Sequence, residues 1–105
     1  MYAVIFEVKI KPSKKDQYLA IAAKLREQLV KMDGFISIER FSSLVEEGKL
    51  LSLSFWESQD AIDNWKANID HMNAQMQGRE SIFEDYRIRV AEVMKDYTME
   101  TSTLS

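Results

Sequence analysis

Within residues 2–10 (YAVIFEVKI), Tyr2, Val4, Phe6, Val8 and Ile10 alternate with the remaining positions. This is the period-two pattern of a strand with one buried face. Pro12 ends it, because proline offers no backbone N–H to a ladder. From Ser13 to Met32 the spacing becomes three and four, with Tyr18, Leu19, Ala22, Leu25, Leu29 and Met32 on one stripe of an amphipathic helix. Ser13 and Asp16 form a capping-box-like start, with Asp replacing the usual Glu or Gln. Asp33-Gly34 stops the helix, and Gly34 suits the left-handed C′ position.

Residues 35–44 (FISIERFSSL) and 49–56 (KLLSLSFW) read as two strands of a hairpin, turned at Glu46-Glu47-Gly48. Ser58 opens a second helix running to Gly78, with Ile62, Trp65, Ile69 and Met72 on one face. Residues 84–95 alternate again, with Tyr86, Ile88 and Val90 set against Arg87, Arg89 and Ala91. The order is strand, helix, strand, strand, helix, strand. This predicts an α+β, ferredoxin-like βαββαβ fold, an antiparallel sheet with both helices on one face. The first strand then lies beside both the third and the fourth. Residues 1–97 make one domain, and residues 98–105 a polar tail.

Alternation divides the sheet into two faces. Val4, Phe6, Val8, Ile36, Ile38, Leu51, Leu53, Phe55, Ile88 and Val90 are expected under the helices. The opposite face is expected to carry Ile5, Glu7, Phe35, Ser37, Glu39, Phe41, Leu50, Ser52, Ser54, Trp56, Arg87, Arg89, Ala91 and Val93. Phe35, Phe41, Leu50 and Trp56 on a solvated face would form a large exposed apolar patch. A second copy of the chain burying that face resolves the difficulty, so a symmetric homodimer is expected. Coverage by the polar tail is the competing explanation.

Composition narrows the chemistry. The chain has 105 residues, 46% hydrophobic and 30% charged, which is ordinary globular composition for one domain. A net charge of −3 argues against a nucleic-acid partner. No run approaches the roughly 20 apolar residues of a membrane span, and no basic segment precedes an unbroken apolar one. A soluble cytoplasmic protein is therefore expected. The absence of cysteine excludes disulfides and thiol nucleophiles. A single histidine, His71, excludes any metal site needing two imidazoles from one chain. No metal site is expected.

Asp33-Gly34-Phe35 leading into the hairpin, then Phe55-Trp56-Glu57-Ser58, Ala61-Ile62, Trp65, His71, Ala74-Gln75, Gly78-Arg79 and Tyr86-Arg87-Ile88-Arg89-Val90-Ala91, carry a more specific signal. Together they resemble the antibiotic biosynthesis monooxygenase domain of the dimeric α/β-barrel superfamily, over roughly residues 2–97. The resemblance implies a homodimer whose sheets meet, with a pocket between helices and sheet in each subunit. It further implies one of two activities: cofactor-independent oxidation of a small aromatic or quinone-like substrate by molecular oxygen, or heme degradation. In heme-degrading members the axial histidine position falls here on Gln75, and the asparagine of their first strand has no counterpart in residues 2–10. Quinone-forming members carry an asparagine one turn before the tryptophan, where this chain has Ala61. The cofactor-free oxygenase is the expectation, with heme as the alternative cofactor. A non-catalytic small-ligand-binding or stress-related module is the alternative from another class.

The expected catalytic residues are His71 and Trp65, with Asn64, Asn68, Gln75 and Arg79 binding substrate. By the resemblance Trp65 lines the pocket, whereas its stripe with Ile62 and Ile69 equally fits core packing. Asn64, Asn68, His71 and Gln75 form an uncharged polar stripe, which suits a pocket or a solvated helix face. An imidazole in a pocket can take or give a proton. Arg79, Arg87 and Arg89 can hold an anion through their planar forks or pair with Glu7, Glu39 and Glu84, and pairing is the reading favoured for Arg89.

Overall fold

The computed structural model describes residues 1–77 and 82–101, and of Ile69 and residues 71–77 the backbone alone. Its elements are β1 (Tyr2–Ile10), a 3-10 turn (Pro12–Lys14), α1 (Lys15–Leu29), β2 (Phe35–Ser42), β3 (Lys49–Trp56), α2 (Gln59–Gln77) and β4 (Phe83–Glu92). The strands form one antiparallel sheet in the order β2-β3-β1-β4. This is the expected ferredoxin-like α+β arrangement, with β1 between β3 and β4. Among the described residues no helix is long and apolar enough to cross a membrane.

The helix ends obey local chemistry, although not always the expected kind. At α2, Ser58 is the cap: its Oγ accepts the Ala61 N–H at 3.2 Å. At α1 the capping box does not form, and no side chain caps the helix. Pro12 starts a 3-10 turn, closed by the Lys14 N–H donating to Lys11 O at 2.8 Å, and this turn absorbs Ser13. The helix ends at Leu29, then tightens through Lys31 N–H to Gln28 O and Met32 N–H to Leu29 O. Gly34 is therefore not its C′ residue. It has φ +81° in the approach to β2, where an added Cβ would lie 2.8 Å from the Ala61 Cβ. The missing side chain lets the first turn of α2 sit directly on the start of β2.

The inner face of β1 is as expected: Val4, Phe6, Val8 and Ile10 are buried. On β3 the expected faces are exchanged. Register pairs Tyr2 with Trp56, Val4 with Ser54, Phe6 with Ser52 and Val8 with Leu50. Since directly opposed residues share a face, Leu50, Ser52, Ser54 and Trp56 lie under the helices and Leu51, Leu53 and Phe55 point outward. Trp56 is fully buried, its ring 6.0 Å from that of Trp65 and 5.3 Å from that of Phe35. The buried Ser54 Oγ accepts the Trp56 indole N–H at 2.9 Å, which explains a hydroxyl in the core.

On β2 the register shifts between Phe35 and Ser37. This irregularity turns Phe35 inward and leaves Ile36 45% exposed, opposite to the expected assignment of both. Val90 shares the inner face through its pairing with Val4, yet is 52% exposed because β4 is an edge strand. On α1, Leu19 is exposed, whereas Tyr18, Ala22 and Leu29 are buried.

Two buried clusters result. One gathers Val4, Leu29, Ile38, Trp56, Ala61, Ile62 and Trp65. The other gathers Phe6, Val8, Ile10, Tyr18, Ala22, Leu50 and Ile82.

Candidate functional site

Where the two clusters meet, the packing leaves a cavity. Its lining comes from β1 (Phe6), α1 (Tyr18, Ile21, Ala22, Leu25), β2 (Ile38, Arg40), β3 (Ser52), α2 (Trp65) and β4 (Phe83). Ser52 is small and sits opposite both Phe6 and Arg40 in the register, so the centre of the inner face lacks the bulk to meet the helices. The open space is about 20 Å³, room for roughly one water molecule. A single-ring ligand must displace rim side chains, and Ile21, Leu25 and Phe83 are only half-buried there.

Two lining groups are unpartnered donors. The Trp65 residue is 3% exposed, and its indole Nε1 is buried without a hydrogen-bond acceptor among the described residues. The Nε of half-buried Arg40 is buried in the same condition. A buried donor left unsatisfied costs about 1–3 kcal/mol, and more when it is charged. Natural cores avoid such groups unless something else fills the vacancy in their bonding. Both donors border one cavity, and both call for an acceptor oxygen.

Two groups of charged residues pair away from the cavity. On the outer face the Glu7 carboxylate pairs with Arg89 and lies 3.3 Å from Lys49 Nζ. Those two partners hold its carboxyl below the usual carboxylate range. The expected pairing of Arg89 with Glu7 is therefore present. On α2 the Lys66 ammonium donates to Asp70 at 2.9 Å, which raises its pKa. By contrast, no carboxylate pairs with Arg40 among the described residues.

The expected site residues separate. Trp65 satisfies both readings at once, since it belongs to the core cluster and lines the cavity. Asn64 and Asn68 are exposed and do not line it. One and three residues from Trp65 on a helix turning 100° per residue, they are carried away from the buried Ala61, Ile62 and Trp65 stripe. Asn68 Nδ2 instead lies 3.9 Å from Met32 Sδ. His71 and Gln75 stand on α2, where only the backbone is described, and Arg79 lies outside the described residues.

Arg40 was not among the expected site residues. Its signal was present: it shares strand parity with Ile38, so an inward cation interrupts an apolar row.

This fold and cavity define an α+β domain with a small apolar pocket beneath a helix tryptophan. The family model for antibiotic biosynthesis monooxygenase matches residues 1–77, and the chain belongs to that family. It is 45% identical over 93 residues to the jasmonate monooxygenase ABM of Pyricularia oryzae, covering 89% of this chain and 43% of that protein. The chain thus spans less than half the length of that relative. It is 30% identical over 102 residues to the uncharacterised protein YqjZ of Bacillus subtilis, covering 97% of this chain and 87% of that one. Among solved structures it superimposes on a MhuD variant with two manganese protoporphyrin IX molecules per active site. The TM-score is 0.70 at 17% identity, over 93% of this chain and 98% of that one. That likeness concerns the fold alone. At about 20 Å³ the cavity is too small for a porphyrin without movement of its lining.

Proposed function

We propose that the protein is a cofactor-independent monooxygenase that oxidises a small aromatic or quinone-like substrate with molecular oxygen. The observation supporting this reading is the apolar cavity walled by the rings of Phe6, Tyr18, Trp65 and Phe83, with an indole N–H left to bind a substrate oxygen. Trp65 flanks the substrate ring and donates to its oxygen. His71 takes the acidic proton, and Gln75 and Arg79 orient the ring. Asn64 and Asn68, facing solvent, take no part.

Loss of the proton leaves an electron-rich anion. Its electrons pass to oxygen as a C–O bond forms, and a returned proton completes a C–O–O–H group. Loss of water then leaves C=O. One phenol and one O2 become one quinone and one H2O. A single placed base suffices, contributing about 10²–10⁴-fold.

The test is oxygen uptake by the purified protein under air with a panel of hydroquinones and polycyclic phenols, and with jasmonate. Uptake matching product one to one is expected, reduced about 100-fold or more in His71→Ala. A panel that neither binds nor consumes oxygen above the buffer rate overturns the reading.

The outer sheet face suggests the assembly. Ile5, Leu51, Leu53 and Phe55 are half-buried, and Phe41 is 42% exposed, all on that one face. We infer that a second copy covers it, giving a homodimer with the cavities on the far side of each sheet.

A further inference from the structure

We propose that Arg40 and Trp65 form a subsite for the anionic oxygen of a small apolar acid, and that Arg40 is a specificity-determining residue of the cavity. The proposal rests on the cavity being the substrate site. It adds the class of substrate that the site selects.

The argument starts from charge. A guanidinium is ionised at every physiological pH and carries five donors in a rigid fork. Arg40 is half-buried, so its charge is only partly withdrawn from solvent and the unmet need is that of one buried N–H. Arg40 has no carboxylate partner among the described residues, and its Nε is buried without any acceptor. Glu39 and Phe41, its neighbours on β2, belong to the opposite face by strand alternation. Directly beside Arg40 stands Ser52, too small to fill the space.

Geometry supplies the second part. Trp65 lines the same cavity from α2, so a helix residue and a sheet residue, each with a buried N–H that has no acceptor among the described residues, border it from opposite layers. The remaining walls, Phe6, Ile21, Ala22, Leu25, Ile38 and Phe83, are apolar. The complement is an apolar body bearing one anionic oxygen centre, either a carboxylate or a phenolate. Tyr18 is the other titratable group in the described lining. His71 and Arg79 are the other ionisable groups proposed for the site. A neutral ligand would satisfy the indole but leave the guanidinium unpaired.

The experiment is calorimetric titration of the full chain with benzoate and its uncharged methyl ester, and with 4-nitrophenol as phenolate and as phenol. Wild type is expected to bind at least one anion about tenfold or more tightly than its neutral counterpart. Arg40→Met should lose about 10- to 100-fold for the anion and less than about threefold for the neutral form. Arg40→Lys should keep part of the discrimination, since it retains charge but not the fork. Trp65→Phe should weaken both forms about threefold to tenfold, because it removes a neutral donor while keeping a ring. Unchanged melting temperatures confirm that the variants are folded. Preference for benzoate identifies a carboxylate subsite, and preference for nitrophenolate a phenolate subsite; either supports the proposal. Equal affinity for charged and neutral probes, Arg40→Met binding like wild type, or no saturable binding overturns it. Anion selectivity without oxygen uptake would sink the oxygenase reading and leave this subsite standing.

Discussion

Each face of the sheet departs from its expected character at a few positions, the inner one within an apolar core and the outer one within a charged surface. The face under the helices carries two serines and an arginine, while the face away from them carries two leucines, an isoleucine and two phenylalanines. On the inner face the polar residues sit where they reduce bulk or supply a donor. Ser54 satisfies the indole of Trp56, Ser52 makes room for the cavity, and Arg40 lines it. On the outer face the Glu7, Arg89 and Lys49 group pairs its charges, and Glu39 stands opposite Leu53 among the apolar positions.

The contrast can be broken most severely at Trp56, which holds the inner face together. Trp56→Ala should cost about 3–5 kcal/mol, read by urea denaturation, because it empties a fully buried site. It also strands Ser54. A loss under 1 kcal/mol would mean that the outer face supplies most of the stability.

Next in size is the outer face itself. Leu53→Glu should weaken the proposed dimer by about 2 kcal/mol or more, roughly thirtyfold in the dissociation constant. Light scattering during gel filtration would then report a monomer at concentrations where wild type is dimeric. A monomeric wild type at high micromolar concentration would instead remove the explanation offered for this face.

Gly34→Ala tests the seam between the faces. With φ +81° and a 2.8 Å approach to the Ala61 Cβ, it should destabilise by about 1–3 kcal/mol in thermal unfolding. Gly48, also at positive φ, meets only Ile10 O at 3.6 Å, so Gly48→Ala should cost less.

The smallest effect is a pH dependence. Arg89 and Lys49 lower the Glu7 pKa from an ordinary 4.5, so its stabilising contribution is present above that value and lost as pH falls through the folded pKa. Glu7→Gln should therefore lower the melting temperature slightly at neutral pH and converge on wild type as pH falls below about 4.5, flattening the acid arm of the profile. A larger effect in the dimer than in Leu53→Glu would show that the second copy shields this pair.

Much of this was legible from residue order. The span of β1, the span of β3, the Ser58 cap and the strand order all follow from alternation, helical spacing and turn chemistry. The faces of β3 were not. In KLLSLSFW both parities carry large apolar groups, so hydropathy favours Leu51, Leu53 and Phe55 inward. Pairing with β1 and the need to bury Trp56 against Trp65 decide otherwise. The β2 irregularity that exchanges Phe35 and Ile36 is likewise a matter of register with β3, invisible within either strand alone. For the site, Trp65 was readable because its stripe and its resemblance point to one residue. Arg40 was passed over, because an arginine amid strand residues is ordinarily an edge charge until its missing partners are known.

Local periodicity and capping determined the class of fold and the order of the strands, and composition left His71 as the one imidazole on which the proposed chemistry can draw. Those properties depend on neighbours three or four positions apart, or on composition. Which face of β3 is buried, where two serines leave a cavity, and that Arg40 and Trp65 border it without acceptors were decided only by tertiary structure. Each depends on register and packing between segments distant in the chain, where the energy of burying one large indole outweighs the local preference of several smaller side chains.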